Sequence, residues 1–350
     1  MKDNKVKNII NKIGIARLII GGLLALVLVM AAGYGLSVAD IFTNILRRYG
    51  MWGILVLAIV PGIQCGIGPN FGISLGIVCG LLASLFAIEF ELPGLAAFAF
   101  AAGVGAFLAA FVGAAYGWLL NKVKGSEMTV STYIGYSAIA IMNIYWVSAN
   151  FESGIIKWPI GGVGVRSSVS LEGSYAGVVD GLWSFKLFGV TIPTGLILLL
   201  LAMCFLVWVF FNSKTGKAMS AVGNNPTFAK ASGINVDKMR MLGTAISTSL
   251  AAVGIVAYAG TYGFLQLYDA PLQMGFQAVA AIFIGGASPQ KAKISHVLIG
   301  TFLFQGLLVA ALPVANRLLA GTDISDIIRM IVQNAVIIYA ITKANGGGNE

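Results

Sequence analysis

The sequence predicts an all-α integral membrane protein of about ten transmembrane helices, in two pseudo-symmetric halves with segments broken by Gly and Pro. Three observations lead to this fold class: 58% of the 350 residues are hydrophobic, only 10% are charged, and the mean hydropathy is +0.90. Soluble domains carry about 25% charged residues, and a chain with so few cannot cover a water-facing surface of this size. Lipid accepts an apolar surface, so we expect residues 1–350 to form a single transmembrane domain.

About ten apolar segments approach the roughly 20 residues that a membrane helix needs. They lie near residues 15–36, 51–67, 70–88, 92–119, 131–150, 190–211, 240–262, 272–288, 295–316 and 324–342. The first is too long for the apolar core of a secretory signal and is interpreted as a membrane helix. The second, third and eighth are short or interrupted by Gly and Pro, so the sequence defines their ends poorly.

The basic residues predict how these segments are oriented. If the N-terminus is cytoplasmic and the segments alternate, 15 of the 22 Lys and Arg residues fall inside and the other 7 outside, as the positive-inside rule requires. Both termini, including the 14 N-terminal residues, are therefore predicted to be cytoplasmic. The long loops then lie on opposite sides, 151–189 outside and 212–239 inside. This bias explains the net charge of +9, and we expect no nucleic-acid partner.

The loop at 212–239 contains the signals of a short helix. Asn225 is a preferred N-cap residue, and proline follows it at the first helical position. Gly233 is suited to ending a helix that runs from Pro226 to Ser232. A short, capped helix in a cytoplasmic loop is more often a docking element than a spacer.

The two halves of the chain each contain a break in the apolar pattern. Residues 61–72 interrupt the first half, and residues 263–273 interrupt the second. Broken segments at matched positions indicate an inverted repeat with a pathway near the middle of the membrane. The alternative is that both are ordinary loops outside the membrane.

Neutral polar residues in or beside the predicted helices are the candidates for lining such a pathway. They are Gln64, Asn70, Ser74, Asn143, Gln273 and Gln277. Their amides and hydroxyls are able to hydrogen-bond a polyhydroxylated solute as it passes. The alternative is that they bond helix to helix, which contributes about 0.6 kcal/mol each.

The stretch 221–239 has the most specific pattern in the chain. It reads AVGNNPTFAKASGINVDKM and resembles the cytoplasmic coupling loop of bacterial ABC importer permeases, A-[IV]-G-G-N-P-x-A-A-[RK]-x-S-G-I-N-V. The matching residues are Gly223, Asn225, Pro226, Ala229, Lys230, Ser232, Gly233, Ile234, Asn235 and Val236. Phe228 stands where the family usually has a small residue. The resemblance is to the branched-chain amino acid and simple-sugar permease family, of the ribose and galactose type.

This resemblance implies that the loop couples the chain to ABC ATPase subunits. The residues it implies for coupling are Gly223, Asn225, Pro226, Thr227, Phe228, Ala229, Lys230, Ser232 and Gly233. Phe228 and Ala229 are expected to form an apolar tip suited to a groove on the ATPase. The resemblance further implies a second permease chain, identical or different, an extracytoplasmic substrate-binding protein, and a place in the bacterial plasma (inner) membrane.

No cofactor is expected on this chain. It lacks a G-x-x-x-x-G-K-[ST] phosphate loop, so ATP and Mg would be used by the ATPase partner. The chain is therefore expected to be a transport subunit and not an enzyme. Cys65, Cys79 and Cys204 lie in apolar stretches without metal-ligand spacing, so no metal site is expected either.

The solute is less well defined than the family. Residues 276–288 look like the family segment A-I-A-A-V-V-L-G-G-T-S, whereas the N-terminal half agrees in layout only. At 70–76 the chain reads NFGISLG, with Gly72 in place of the aspartate in the simple-sugar pattern G-I-D-L-S-V-G. A simple sugar is the first expectation, and a nucleoside or another small polar metabolite is the alternative.

Two other classes of function remain open. An ion-coupled secondary transporter or channel usually has ionisable residues inside its membrane helices, but here nearly every charge lies at a helix end or in a loop. A membrane-embedded enzyme would need paired carboxylates, a His cluster or a nucleophile elbow at membrane depth, and the sequence shows none of these patterns. The ABC importer permease is therefore the preferred interpretation.

Overall fold

The computed structural model of the chain describes residues 14–157, 164–318, 330, 331, 333–339 and 342. Its helices are α1 Ile15–Gly33, α2 Val38–Leu57, α3 Ile59–Gln64, α4 Ile73–Glu89, α5 Gly94–Leu120, α6 Glu127–Ser148, α7 Val178–Gly181, α8 Thr194–Asn212, α9 Lys214–Asn224, α10 Pro226–Ala231, α11 Val236–Tyr262, α12 Asp269–Ile284 and α13 Ile294–Leu318. Its strands are β1 Ser168–Ser170, β2 Phe185–Leu187, β3 Val190–Ile192 and β4 Phe264–Gln266. The described residues after 329 are also helical.

Six helical stretches within the described residues are long and apolar enough to cross a membrane. They are Ala16–Gly33, Val38–Gln64, Gly94–Leu120, Thr194–Asn212, Val236–Tyr262 and Ile294–Leu318. α4 and α12 are shorter apolar helices. The chain is therefore a largely helical, multi-pass membrane protein. The count of ten helices stays a prediction, because much of the last expected segment, 324–342, lies outside the described residues.

The second membrane helix begins well before the predicted segment 51–67. α2 starts at Val38, where the Ser37 hydroxyl accepts a hydrogen bond from the Asp40 backbone N–H at 3.2 Å. The prediction from apolar segment length missed this first half of α2, because the half contains polar and charged residues. One of them, Arg47, forms an ion pair with Asp180 of α7 at 3.5 Å. The polar half of α2 therefore supports the loop at 151–189.

α11 packs closely against α5, because small residues face threonines along the contact. Gly113 and Gly117 of α5 lie against Thr248 and Thr244 of α11, and a Cβ at either glycine would overlap the threonine hydroxyl. Thr248 Oγ1 also donates a hydrogen bond to the Ala109 carbonyl at 2.8 Å. Small residues allow this close approach between membrane helices, so α5 and α11 form one tightly packed pair.

The loops that were expected on the cytoplasmic side meet at one end of the molecule. Gln64 Nε2 donates a hydrogen bond to the Ala292 carbonyl at 2.6 Å, and Ser220 Oγ donates one to Gln64 Oε1 at 3.1 Å. Lys124, between α5 and α6, forms an ion pair with Asp237 at 2.7 Å. These segments form one end of the molecule, the coupling end.

The loops that were expected outside meet at the opposite end, called the hairpin end. The Glu89 carboxylate accepts hydrogen bonds from the backbone N–H groups of Glu152 and Ser153, at 2.7 and 3.2 Å. β1 pairs antiparallel with β4, and Ser168 lies opposite Gln266. Alternating helices produce this grouping of loops. Which end faces the cytoplasm stays a prediction from the basic residues.

The two expected breaks are present, but each is shorter than predicted. The first includes residues 65–72, since α3 extends to Gln64, and most of its residues are buried. The second includes residues 263–268, since α12 begins at Asp269, and it contains β4. The first break lies at the coupling end and the second at the hairpin end. The two breaks therefore lie at opposite ends of the molecule, and a repeat relating the two halves stays a prediction.

Candidate functional site

The short helix α10 forms where the sequence predicts it, with Ala231 as its last residue. The Asn225 side chain accepts a hydrogen bond from the Phe228 backbone N–H at 3.0 Å. This bond satisfies one of the donors that a helix start leaves free. Pro226 occupies the first turn, where its missing N–H has no partner to lose.

The end of α10 is fixed by a glycine. Gly233 has a φ of +79°, and the Ile234 backbone N–H donates a hydrogen bond to the Ala229 carbonyl at 3.0 Å. A glycine in the left-handed region with this bond closes a helix and turns the chain away. The helix is only 6 residues long, so it depends on packing or a partner rather than on its own stability.

One large apolar side chain projects from α10. Phe228 is 66% exposed, whereas Ala229 is 0% exposed. The apolar tip that the sequence suggested therefore consists of Phe228 alone, because Ala229 faces inward. Thr227, Lys230 and Ser232 are exposed around Phe228. A solvated aromatic side chain with a polar surround is the composition of an interface anchor.

α9 connects α10 to the first break through direct backbone contact. Gly223, at the end of α9, lies against the Gln64 carbonyl, and a Cβ at Gly223 would overlap that oxygen. A Cβ at Gly66, which has a φ of +78°, would lie 3.1 Å from the Gly223 Cα. Together with the bond from Ser220 to Gln64, these contacts leave no room for side chains between α9 and the break. α9, which leads directly into α10, is therefore in close contact with residues 64–66.

A buried ion pair forms a second connection at the coupling end. Arg240 of α11 and Glu127 of α6 are 2.6 Å apart, and their side chains are 6% and 13% exposed. Burial of the Glu127 carboxyl group works to raise its pKa, but the hydrogen bond and the charge of Arg240 outweigh burial and hold the pKa below its ordinary value. The outer pair between Lys124 and Asp237 joins the same two segments but is about half exposed, at 51% and 56%.

A cavity of about 470 Å³ opens at the coupling end beside these connections. Its walls come from residues 66–69 of the first break, residues 125–129 at the start of α6, Gly223 of α9, and Pro289 and Gln290 before α13. The coupling contacts thus border an open space, and a displacement of α9 would change the shape of that space.

Asn70 and Ser74 hold helices together in this structure. Asn70 is 0% exposed, and its amide donates to Ser247 Oγ at 2.9 Å while its oxygen accepts from Tyr116 Oη at 2.9 Å. Ser74 Oγ donates to the Pro271 carbonyl at 2.7 Å. Both side chains therefore form hydrogen bonds between segments of the protein, which is the alternative to lining a pathway. A role for Asn70 or Ser74 in the pathway stays a prediction.

The structure brings two of the six expected pathway residues together in one cavity. Gln273 and Gln277 of α12 both line a space of about 280 Å³ near the hairpin end. Gln64 lies at the coupling end, and Asn143 is on α6 with a buried Oδ1 that has no hydrogen-bond partner among the described residues. The expected residues therefore occupy several levels of the molecule instead of one site.

Sequence reasoning missed the residues that connect the coupling end. Ser220, Glu127 and Arg240 act through contacts between segments that are more than 100 residues apart. The one local signal was the position of Arg240 at the start of a predicted membrane helix, where an unpaired charge would be costly. That signal predicts a carboxylate partner but does not identify Glu127.

The long apolar helices define a multi-pass membrane protein, and the exposed capped helix gives it a surface element suited to docking. A family model described as the permease component of branched-chain amino acid transport systems matches residues 41–341. The chain belongs to this family of transport permeases.

Several relatives are named as permeases for nucleosides or sugars. A nucleoside ABC transporter permease of Lactococcus lactis is 24% identical over 69% of this chain and 62% of its own length. The galactose/methyl galactoside import permease of Escherichia coli is 28% identical over 66% of this chain and 63% of its own. A guanosine ABC transporter permease of Bacillus subtilis is 29% identical over 43% and 48%. Each match covers less than two thirds of the relative. No solved structure matches the chain.

Proposed function

We infer that the chain is the membrane permease subunit of an ATP-driven importer for a small polar solute. The observation that carries this proposal is α10, a helix of 6 residues that is capped at both ends and has Phe228 66% exposed. A helix this short is marginal alone, and an exposed aromatic anchor suits a groove on a partner. The partner of this proposal is an ABC ATPase subunit, which binds ATP and Mg²⁺.

Coupling follows from the contacts of α10. When the ATPase dimer closes on ATP, α10 moves with the surface that holds Phe228. α9 transmits this movement through Gly223 to residues 64–66, and the ion pair of Arg240 with Glu127 transmits it from α11 to α6. The 470 Å³ cavity lies between these two contacts, so its shape changes with the nucleotide state.

The remaining partners follow from the two ends. The coupling end faces the cytoplasm, and the hairpin end receives an extracytoplasmic substrate-binding protein. A second permease chain, identical or different, completes the transport unit in the bacterial plasma membrane. Within the described residues, Arg240 is the one charged residue that is buried, with 5% exposure, and Glu127 neutralises it. This favours the importer over an ion-coupled transporter, which places ionisable groups along its pathway.

A simple sugar or a nucleoside is the solute of this proposal. The galactose permease and the nucleoside permeases resemble the chain to similar degrees. Both solutes are small and polar, and both are rich in hydroxyl groups. The sequence alone favours a sugar, and a nucleoside is the alternative.

The test is cross-linking of α10 to the ATPase in the assembled complex. A single cysteine replaces Thr227 in a chain without Cys65, Cys79 and Cys204, and a bifunctional reagent is added in the apo, ATP-bound and ADP-bound states. We expect a permease–ATPase adduct in at least one state. A cysteine at Ser168, at the hairpin end, is the matched control and gives no adduct. Absence of an adduct from the Thr227→Cys variant in all three states would refute the importer assignment.

A further inference from the structure

The cavity near the hairpin end has the composition of a ligand site. It has a volume of about 280 Å³, and its walls come from α2, α11, α12, α13 and the helical residues after 329. Tyr262 of α11 is 45% exposed and is stacked on Tyr258, with ring centroids 5.7 Å apart and an interplanar angle of 19°. Trp52 of α2 meets Tyr258 edge-on at 5.6 Å. One wall is therefore a continuous aromatic surface.

Two side chains, one in the cavity lining and one on α13 near it, have buried polar groups without a hydrogen-bond partner in the described part of the chain. Trp52 lines the cavity and is 3% exposed, and its indole Nε1 has no acceptor. Gln305 of α13 is 1% exposed, and neither its oxygen nor its nitrogen is paired. Buried polar groups are almost always hydrogen-bonded in proteins. Two unpaired groups in one region leave hydrogen-bonding capacity that a bound molecule is able to use.

The packing of α12 on α13 places these groups at one level. Gly285 lies against the His296 carbonyl, and Gly300 lies against the Ala281 carbonyl, which fixes an antiparallel register. If this antiparallel register continues along both helices, Gln277 of α12 lies opposite residues 304 and 305 of α13. Gln305 is also one turn from Leu308, which lines the cavity. Gln277, which lines the cavity, is therefore level with the buried amide of Gln305.

We propose that this cavity binds a single uncharged nucleoside during import, an assignment that rests on the proposed function of the chain. A nucleobase has two apolar faces and a polar edge. Its faces fit between Tyr262 and the apolar side chains of Met274 and Leu308, and its edge meets the amide of Gln277 and the indole N–H of Trp52. Amides form paired donor and acceptor contacts with base edges.

A free sugar fits the same space less well. A hexose carries hydroxyl groups around its whole rim, and those facing Met274 or Leu308 would be buried without partners, which is unfavourable. The ribose of a nucleoside extends instead toward the mouth, where Arg48 and Asp269 contribute to the lining. The volume, about 280 Å³, is slightly below the usual range of ligand pockets, about 300–1,000 Å³, so the cavity accommodates at most one nucleoside.

The test measures binding to the full-length chain in lipid nanodiscs by equilibrium dialysis with radiolabelled adenosine. We expect saturable binding that unlabelled uridine reduces and that galactose and ribose, each in tenfold excess, do not. Trp52→Phe keeps an aromatic ring and removes the N–H, and we expect about fivefold weaker binding. Tyr262→Leu removes the stacking surface and weakens binding about fivefold, whereas the matched variant Tyr262→Phe stays within about twofold of the wild-type chain.

Each other outcome overturns the site. Absence of saturable adenosine binding indicates a cavity that holds water or lipid only, and equal competition by galactose indicates a sugar site. Equal affinities of Tyr262→Leu and Tyr262→Phe, both monodisperse in gel filtration, would locate the ligand elsewhere. The cross-link from Thr227 to the ATPase does not depend on this cavity. A failed nucleoside site with an intact cross-link therefore leaves the importer assignment standing.

Discussion

Replacement of Glu127 by Gln tests the buried connection at the coupling end. Glu127 and Arg240 are 13% and 6% exposed, so the variant leaves the Arg240 guanidinium buried without a counter-charge. Removing one partner of a buried pair costs about 3–5 kcal/mol, and Gln retains one acceptor for the guanidinium. We therefore expect a loss near the lower limit, about 3 kcal/mol. Lys124→Met removes the exposed pair between the same two segments and should cost at most about 1 kcal/mol.

The assay is equilibrium unfolding of the purified chain in mixed micelles of dodecylmaltoside and SDS, followed by far-UV circular dichroism. The difference between Glu127→Gln and Lys124→Met is the informative quantity, because both variants remove an ion pair that links the same segments. Equal destabilisation by the two would show that burial of the Arg240 pair contributes nothing, and the proposed transmission from α11 to α6 would lose its physical basis.

The same pair predicts a dependence on pH. The pKa of Glu127 is lowered in the folded chain from its ordinary value of 4.5. A carboxyl group with a lowered folded pKa stabilises the fold above its unfolded pKa, and this contribution disappears as the pH falls through the folded pKa. The difference in stability between the wild-type chain and Glu127→Gln should therefore be constant from pH 7 to about pH 6 and shrink below about pH 4.5. A difference that grows on acidification would contradict this assignment.

Three further predictions concern topology, coupling and packing. In a background without the native cysteines, single cysteines at Ser168 and Lys217 should label from opposite sides of the membrane, and labelling from the same side would invalidate the alternating arrangement. Phe228→Ala should leave insertion intact but reduce uptake and stimulated ATP hydrolysis together, since truncating a buried anchor costs about 2 kcal/mol; unchanged coupling would remove Phe228 from the interface. Gly223→Ala should destabilise the chain by about 1–3 kcal/mol in the same micelle assay, whereas Gly103→Ala, which meets open space, should be neutral or stabilising.

The sequence predicted α10 well because its signals are local. A capping residue, a proline and a glycine within nine positions specify where the helix starts and ends, and the structure places both ends within one residue of the prediction. The grouping of loops at two ends was also predictable, since it follows from alternation and charge. Neither inference needed a contact between distant parts of the chain.

The rest of the site depends on such contacts. Gln64 was expected to line a pathway from its residue type, but its two hydrogen bonds join segments that are 156 and 228 residues away. The sequence contains no signal for Trp52, because a tryptophan in an apolar helix is common. Only the structure shows that its indole N–H has no acceptor among the described residues. The start of α2 was missed for a related reason. A prediction based on the length of apolar segments does not detect the polar first half of α2, which packs against the loop at 151–189.

α11 connects the two places at which the chain is proposed to meet other molecules. It begins five residues after α10 ends and continues to Tyr262, so a single helix of 27 residues, about 40 Å long, runs from the proposed ATPase contact to the aromatic wall of the hairpin-end cavity. The helix is stiff, because Gly113 and Gly117 bring α5 directly against it. A tilt of about 3° at one tip would shift the other by about 2 Å, enough to separate a stacked ring from its ligand. A rigid-body tilt of α11 would then couple the nucleotide state of the ATPase to the release of the solute, without unfolding of any helix.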